Sequence, residues 1–126
     1  MSASLALHVL VVDDVPLNLT VAAAMLRHLG CRVSLAADGS EAVAAVRAGA
    51  FDLVLMDLQM PRLDGLAATR RIRQLPGSQA AVPVVGVTAS VYPKLDEACL
   101  TAGMQAVLNK PILIKDLAGL LRPLRR

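Results

Sequence analysis

Apolar residues gather in five short runs, at 7–12, 32–36, 53–56, 84–87 and 106–108, separated by longer stretches of mixed character. Three of the runs are nearly unbroken in Val and Leu, as strands of a parallel sheet buried on both faces are. Parallel strands need crossover connections, and a helix-like segment follows each run. Pro16 suits the first turn of a first helix that reaches Leu29 and stops at Gly30. Asp38 and Glu41, three residues apart, predict an N-cap and its capping partner for the second helix. The third spans 65–74 and is closed by Pro76 and Gly77, the fourth spans 93–102 before Gly103, and the fifth spans 114–121. Five strand–helix units predict a doubly wound α/β sandwich, a five-stranded parallel sheet with helices on both faces. No repeat, linker or low-complexity stretch divides the chain, and residues 1–126 read as a single domain.

In such sheets the ligand crevice lies beyond the carboxyl ends of the strands. The first strand is followed there by Asp13 and Asp14, and the third by Asp57. The fourth ends in Thr88, and the fifth in Asn109, Lys110 and Pro111. One acidic residue after a strand is ordinarily a helix cap. Two adjacent aspartates, with a third from another strand, exceed that need. Three carboxylates brought together repel unless a cation or a proton intervenes. Hard oxygen ligands with few dedicated protein contacts suit Mg²⁺, which keeps water and binds phosphate. Lys110 adds a charge that steadies a phosphoryl oxygen, and Thr88 adds a hydroxyl donor. A carboxylate nucleophile, metal ligands, a cation and a hydroxyl are the parts of phosphoryl transfer.

Four segments, VLVVDD (9–14), LVLMDLQMPRLDG (53–65), VVGVTA (84–89) and NKPI (109–112), together resemble the receiver domains of two-component phosphorelays. The resemblance covers nearly the whole chain and implies a flavodoxin-like fold. It implies that Asp57 accepts a phosphoryl group from a phosphohistidine. Asp14, Asp57 and the backbone carbonyl of Gln59 would bind Mg²⁺, with Asp13 acting directly or through water. Thr88 would donate to the phosphoryl group and move on activation. Lys110 would pair with Asp57 and then with the phosphate, and Pro111 would follow a cis peptide bond. Met60–Pro61 and Asp64–Gly65 would shape the loop after the acceptor, with Gly65 as a permissive backbone position. The implied partner is a histidine kinase or a histidine phosphotransfer protein. The stretches at 12–30 (including Asn18), 56–61 and 97–104 are most similar to receivers of hybrid sensor histidine kinases; a stand-alone response regulator is the alternative. One position departs from the family: Val107 stands where receivers carry a switch aromatic on the fifth strand, and Tyr92 is the one aromatic near Thr88 in sequence. A domain lacking that ring is expected to stay monomeric when phosphorylated.

Composition narrows the rest. The chain is 56% hydrophobic without glycine, above the usual ~45–50% that includes it, so a large core and spare apolar surface are expected. Net charge is +3, with Arg70, Arg71, Arg73, Arg122, Arg125 and Arg126 read as solvated helix ends. One Tyr, one Phe and no Trp offer no stacking platform, which argues against direct nucleic-acid binding. No apolar run approaches the ~20 residues that span a bilayer, and the start lacks a basic signal-peptide region; a cytoplasmic location is expected. Cys31 and Cys99 read as small core residues without a basic neighbourhood, His8 and His28 as structural or surface residues, and Met25, Met56, Met60 and Met104 as packing. Helix one has two apolar stripes. Leu19, Ala22, Leu26 and Leu29 should face the sheet, and Leu17, Val21 and Ala24 are left for helix five or for a docked donor helix.

Two alternatives of other kinds fit less well. A haloacid-dehalogenase-type aspartyl-phosphate hydrolase needs Asp-x-Asp after its first strand, where this chain has Asp13–Asp14–Val15, and it needs room for a cap domain. A flavodoxin-like cofactor binder would present hydroxyls and glycines to phosphate, not two carboxylates. A receiver that binds partners without phosphorylation would have no use for all five polar residues.

Overall fold

A computed structural model describes residues 6–90 and 92–125. The signal-peptide reading of the first residues and the solvated-tail reading of Arg126 fall outside the described residues. Strands β1 (His8–Val12), β2 (Arg32–Ala36), β3 (Leu53–Asp57), β4 (Val84–Thr88) and β5 (Ala106–Asn109) form one parallel sheet, ordered β2-β1-β3-β4-β5. Helices α1 (Pro16–His28), α2 (Gly39–Ala48), α3 (Gly65–Arg73), α4 (Leu95–Ala102) and α5 (Ile114–Leu121) connect and follow them. This is the expected doubly wound, flavodoxin-like sandwich.

Alternation along the central strands builds two cores. Leu10, Val12, Val54, Met56 and Val84 point to the side that holds buried residues of α2, α3 and α4. Val9, Val11, Leu53, Leu55, Val85 and Val87 point to the side of α1 and α5. The α1 stripe of Leu19, Ala22, Leu26 and Leu29 packs on that second core as expected. On β4 the place of a core side chain is taken by Gly86. A Cβ there would meet Met104 Sδ at 2.9 Å and Leu58 at 3.0 Å, so these two side chains fill the space.

Several local expectations are corrected. Helix α4 begins at Leu95 rather than at residue 93, because Lys94 takes a left-handed φ of 66° that no helix interior accepts. Helix α1 stops at His28, with Leu29 as its C-cap. Glu41 does reach back, but to the N–H of Ala37 at 2.9 Å, while Asp38 accepts from the N–H of Glu41 at 2.8 Å. Gly65 is not in the left-handed region. Its role is close approach: a Cβ would collide with the carbonyl oxygen of Asp57 and come within 3.0 Å of Leu58 Cα.

Arg73 is no solvated helix end. Its Nη1 donates to the carbonyls of Ala80 and Val82, both at 2.8 Å, and its Nε and Nη2 donate to that of Gly103, at 3.1 and 2.6 Å. Cys31 also has a basic neighbour, since Arg125 Nη2 lies 3.8 Å from its sulfur and caps the carbonyl of Leu29. Burial still raises the Cys31 thiol pKa, against the pull of Arg125. His8 is structural: its Nε2 is 2.7 Å from Ser34 Oγ, and its ring lies 4.5 Å from that of Phe51.

Candidate functional site

The strand order reverses between β1 and β3, and their carboxyl ends bring the acidic residues together. Oxygen atoms of Asp13, Asp14 and Asp57 lie within 4.8 Å of one another. Asp13 and Asp57 are buried, and Asp14 opens to solvent. Lys110, following β5, reaches across the sheet edge. Its Nζ is 3.2 Å from Asp13 Oδ2 and 3.4 Å from Asp57 Oδ1. The expected pair with Asp57 is therefore present, but the lysine is shared with Asp13. Among the described residues no cation pairs with Asp14.

Burial pushes the Asp57 carboxyl above its ordinary range, and the charge of Asp13 adds to the rise. The N–H of Gln59, 3.2 Å from Oδ1, and the ammonium of Lys110 oppose it. Three carboxylates with one lysine between them leave a local excess of negative charge that a divalent cation relieves. The donor set is all oxygen, with an open side at Asp14, which fits a hydrated Mg²⁺.

Thr88 ends β4 and is buried, and its hydroxyl is engaged by Ser90. It donates to the carbonyl of Ser90 at 2.9 Å and accepts from the N–H of Ser90 at 3.0 Å, closing a small turn. Val107 on β5 is half-buried against the core that holds Leu95, Cys99 and Met104. The Lys110–Pro111 peptide is cis, as expected. Asp64 caps α3, accepting from the N–H of Ala67 at 2.8 Å, which fixes the loop that returns from Asp57.

The sequence reading gave no site role to Asn18. Its Nδ2 donates to Asp13 Oδ2 at 3.2 Å. Helical spacing alone carried no signal for this, because the contact depends on how α1 leaves the sheet edge. Beside it lies a groove of about 400 Å³ lined by Leu17, Val21, Met25 and Ile112, with Asp13 and Lys110 at its polar end. Leu17 and Val21 are exposed there, 68% and 49%. Ala24 is exposed but outside the lining, because it turns back from Val21 while Met25 continues the wall.

Similarity to known proteins agrees with this geometry. The response regulator receiver domain profile matches residues 9–122. The chain is 43% identical over 113 residues to the sensor histidine kinase AruS of Pseudomonas aeruginosa, covering 89% of the chain and 11% of that protein. It spans 11–13% of the length of the curated relatives it matches first, which are sensor kinases. Among solved structures, the receiver domain of the P. aeruginosa sensor histidine kinase PA1611, with a magnesium ion in its active-site cleft, superposes with a TM-score of 0.85. It is 41% identical, over 94% of this chain and 97% of that one. The receiver domain of yeast Ssk1, co-crystallised with the histidine phosphotransfer protein Ypd1, gives a TM-score of 0.81 at 32% identity, over 90% and 84% of the two chains. These likenesses favour the receiver over the hydrolase and cofactor-binder alternatives. The chain belongs to the response regulator receiver domain family.

Proposed function

We propose that this chain is a phosphorelay receiver that takes a phosphoryl group from a phosphohistidine onto Asp57, in the presence of Mg²⁺. The observation that carries the reading is the convergence of three aspartates within 4.8 Å, bridged by Lys110. Asp14, Asp57 and the carbonyl of Gln59 would hold the metal, with Asp13 assisting directly or through water. Bound magnesium neutralises charge on the phosphoryl oxygens. An Asp57 oxygen forms the new bond to phosphorus as the phosphorus–nitrogen bond breaks, and the electron pair leaves with the imidazole. Lys110 then exchanges its carboxylate contact for a phosphoryl oxygen. Thr88 must give up its turn with Ser90 before its hydroxyl reaches the phosphate, which makes that loop the natural reporter of phosphorylation.

The donor is a histidine kinase or histidine phosphotransfer protein. The apolar groove along α1, lined by Leu17 and Val21, together with the exposed Ala24 on the same helix, suits one helix of such a partner. The yeast co-crystal of a receiver with its phosphotransfer protein supports that assignment by analogy. Residues 1–126 act as one receiver module, on the cytoplasmic side, within a longer hybrid sensor kinase; the lengths of the relatives support the last point. Among the described residues no helix is long and apolar enough to cross a membrane.

The test is chemical. With Mg²⁺ and acetyl phosphate the chain should gain one phosphoryl mass, labile to hydroxylamine as an acyl phosphate is. Chelation of Mg²⁺ or the substitution Asp57→Asn should abolish the adduct. Undiminished labelling of Asp57→Asn would move the acceptor elsewhere. Intact mass is the right readout, since the chain has no Trp to report by fluorescence.

A further inference from the structure

Asp13 Oδ2 is held from two sides. Lys110 Nζ and Asn18 Nδ2 both lie 3.2 Å from it, while Asp13 Oδ1 accepts from the N–H of Val15 at 2.9 Å. The two donors differ in what the reaction asks of them. Lys110 is shared with Asp57 and must turn to the phosphoryl group, so its hold on Asp13 is temporary. Asn18 sits in the first turn of α1, is neutral, and has no such second task. The orientation of its amide follows from chemistry, because an ionised carboxylate only accepts and so must face the nitrogen.

We propose that Asn18 is a positioning residue of this site: its amide fixes the Asp13 carboxylate for the metal and keeps hold of it when Lys110 leaves. Without that donor, Asp13 in the metal-free site has Lys110 alone on Oδ2. The carboxylate is then free to follow the lysine away from the metal position or to rotate on its Oδ1 anchor. Partners that orient a metal-binding carboxylate in this way typically affect affinity by about 10–100-fold when removed. The effect here belongs at the low end, because Val15 still anchors the other oxygen. Asn18 also lines the α1 groove, so an occupant of that groove would touch the residue that sets Asp13.

This inference rests on the magnesium-dependent reading above, and its test separates the two. Mg²⁺ affinity of the unphosphorylated 126-residue chain is measured by isothermal titration, beside its metal-free melting temperature. Asn18→Leu keeps the shape and removes the donor; it should weaken Mg²⁺ roughly tenfold while the metal-free chain still melts cooperatively. Asn18→Gln keeps an amide donor on a longer arm and should recover most of the lost affinity. Unchanged Mg²⁺ affinity in Asn18→Leu overturns the inference while leaving Asp57 as acceptor. Equal weakening in Asn18→Leu and Asn18→Gln also overturns it, since loss of fit at α1 would then account for both. An unsubstituted chain that binds no Mg²⁺ overturns the inference and the receiver chemistry together.

Discussion

At Asp57 the carboxylate must be ionised to attack phosphorus, yet it is 3% exposed and stands beside the charge of Asp13. Burial raises its pKa in the folded chain above the unfolded value. The metal-free fold therefore holds its proton to higher pH than the unfolded chain does. The stabilising contribution is complete below the ordinary carboxylate range and is lost as pH rises through the raised pKa of Asp57. Replacing Asp57 with Asn removes the cost of the buried charge. In the presence of a chelator, Asp57→Asn should be more stable than the unsubstituted chain at neutral pH, by roughly 1 kcal/mol. The difference should fade toward acid pH, and urea unfolding across that range measures it. Equal stability at neutral pH would mean that Lys110 and the Gln59 N–H fully compensate the burial. Asp13, Asp14, Asp57, Thr88 and Lys110 were legible because each falls within two residues after an apolar run. The hydroxyl of Thr88 turned to Ser90 was not, because a two-residue turn leaves no trace in residue type.

Helix α4 is fastened unevenly. At its carboxyl end the Arg73 guanidinium ties the carbonyl of Gly103 to those of Ala80 and Val82, joining α3, the chain entering β4 and the turn into β5. Gln105 extends the tie, accepting from the N–H of Val84 at 2.7 Å. At its amino end stand Lys94 in a left-handed conformation and the exposed Tyr92. Arg73→Ala leaves three carbonyls without their charged donor and should destabilise the chain by about 2 kcal/mol. Arg73→Lys should recover only part of this, because one ammonium cannot span the positions a planar fork reaches. Chemical denaturation compares the three chains, and full recovery by Lys would reduce the fork to a simple charge. Boundaries at this scale were read to within two residues, and the misses share a cause. Nothing in the residue types of Lys94 and Leu29 marks a boundary; their backbone angles set it, a left-handed φ of 66° before α4 and a non-helical ψ of 6° after α1.

Across the whole molecule, the missing switch aromatic and the open α1 groove bear on one question, which surface is read. Val107 is too small to swing between an inner and an outer position on the face formed by α4, β5 and α5. Phosphorylation therefore lacks a large ring with which to reshape that face. The phosphorylated chain should sediment as a monomer, and Leu17→Glu or Val21→Glu should slow transfer from the protein donor about tenfold or more, since charge in a docking groove is strongly disfavoured. Labelling by acetyl phosphate should be unaffected. A phosphorylation-dependent dimer, or unimpaired transfer in both charged variants, would place the read surface elsewhere. From the sequence alone came the alternation of strands and helices, the parallel sheet, and the edge at which five polar side chains emerge, because strand burial and helix periodicity are local properties. The tertiary structure alone decided that Lys110 divides itself between two aspartates, that Asn18 supports one of them, that Arg73 is a clamp and that Met25 rather than Ala24 walls the groove. Lys110 and Asp13 are separated by 97 positions, and Arg73 and Gly103 by 30. Contacts at such separations follow from how the layers stack, and no local pattern of residue types records that.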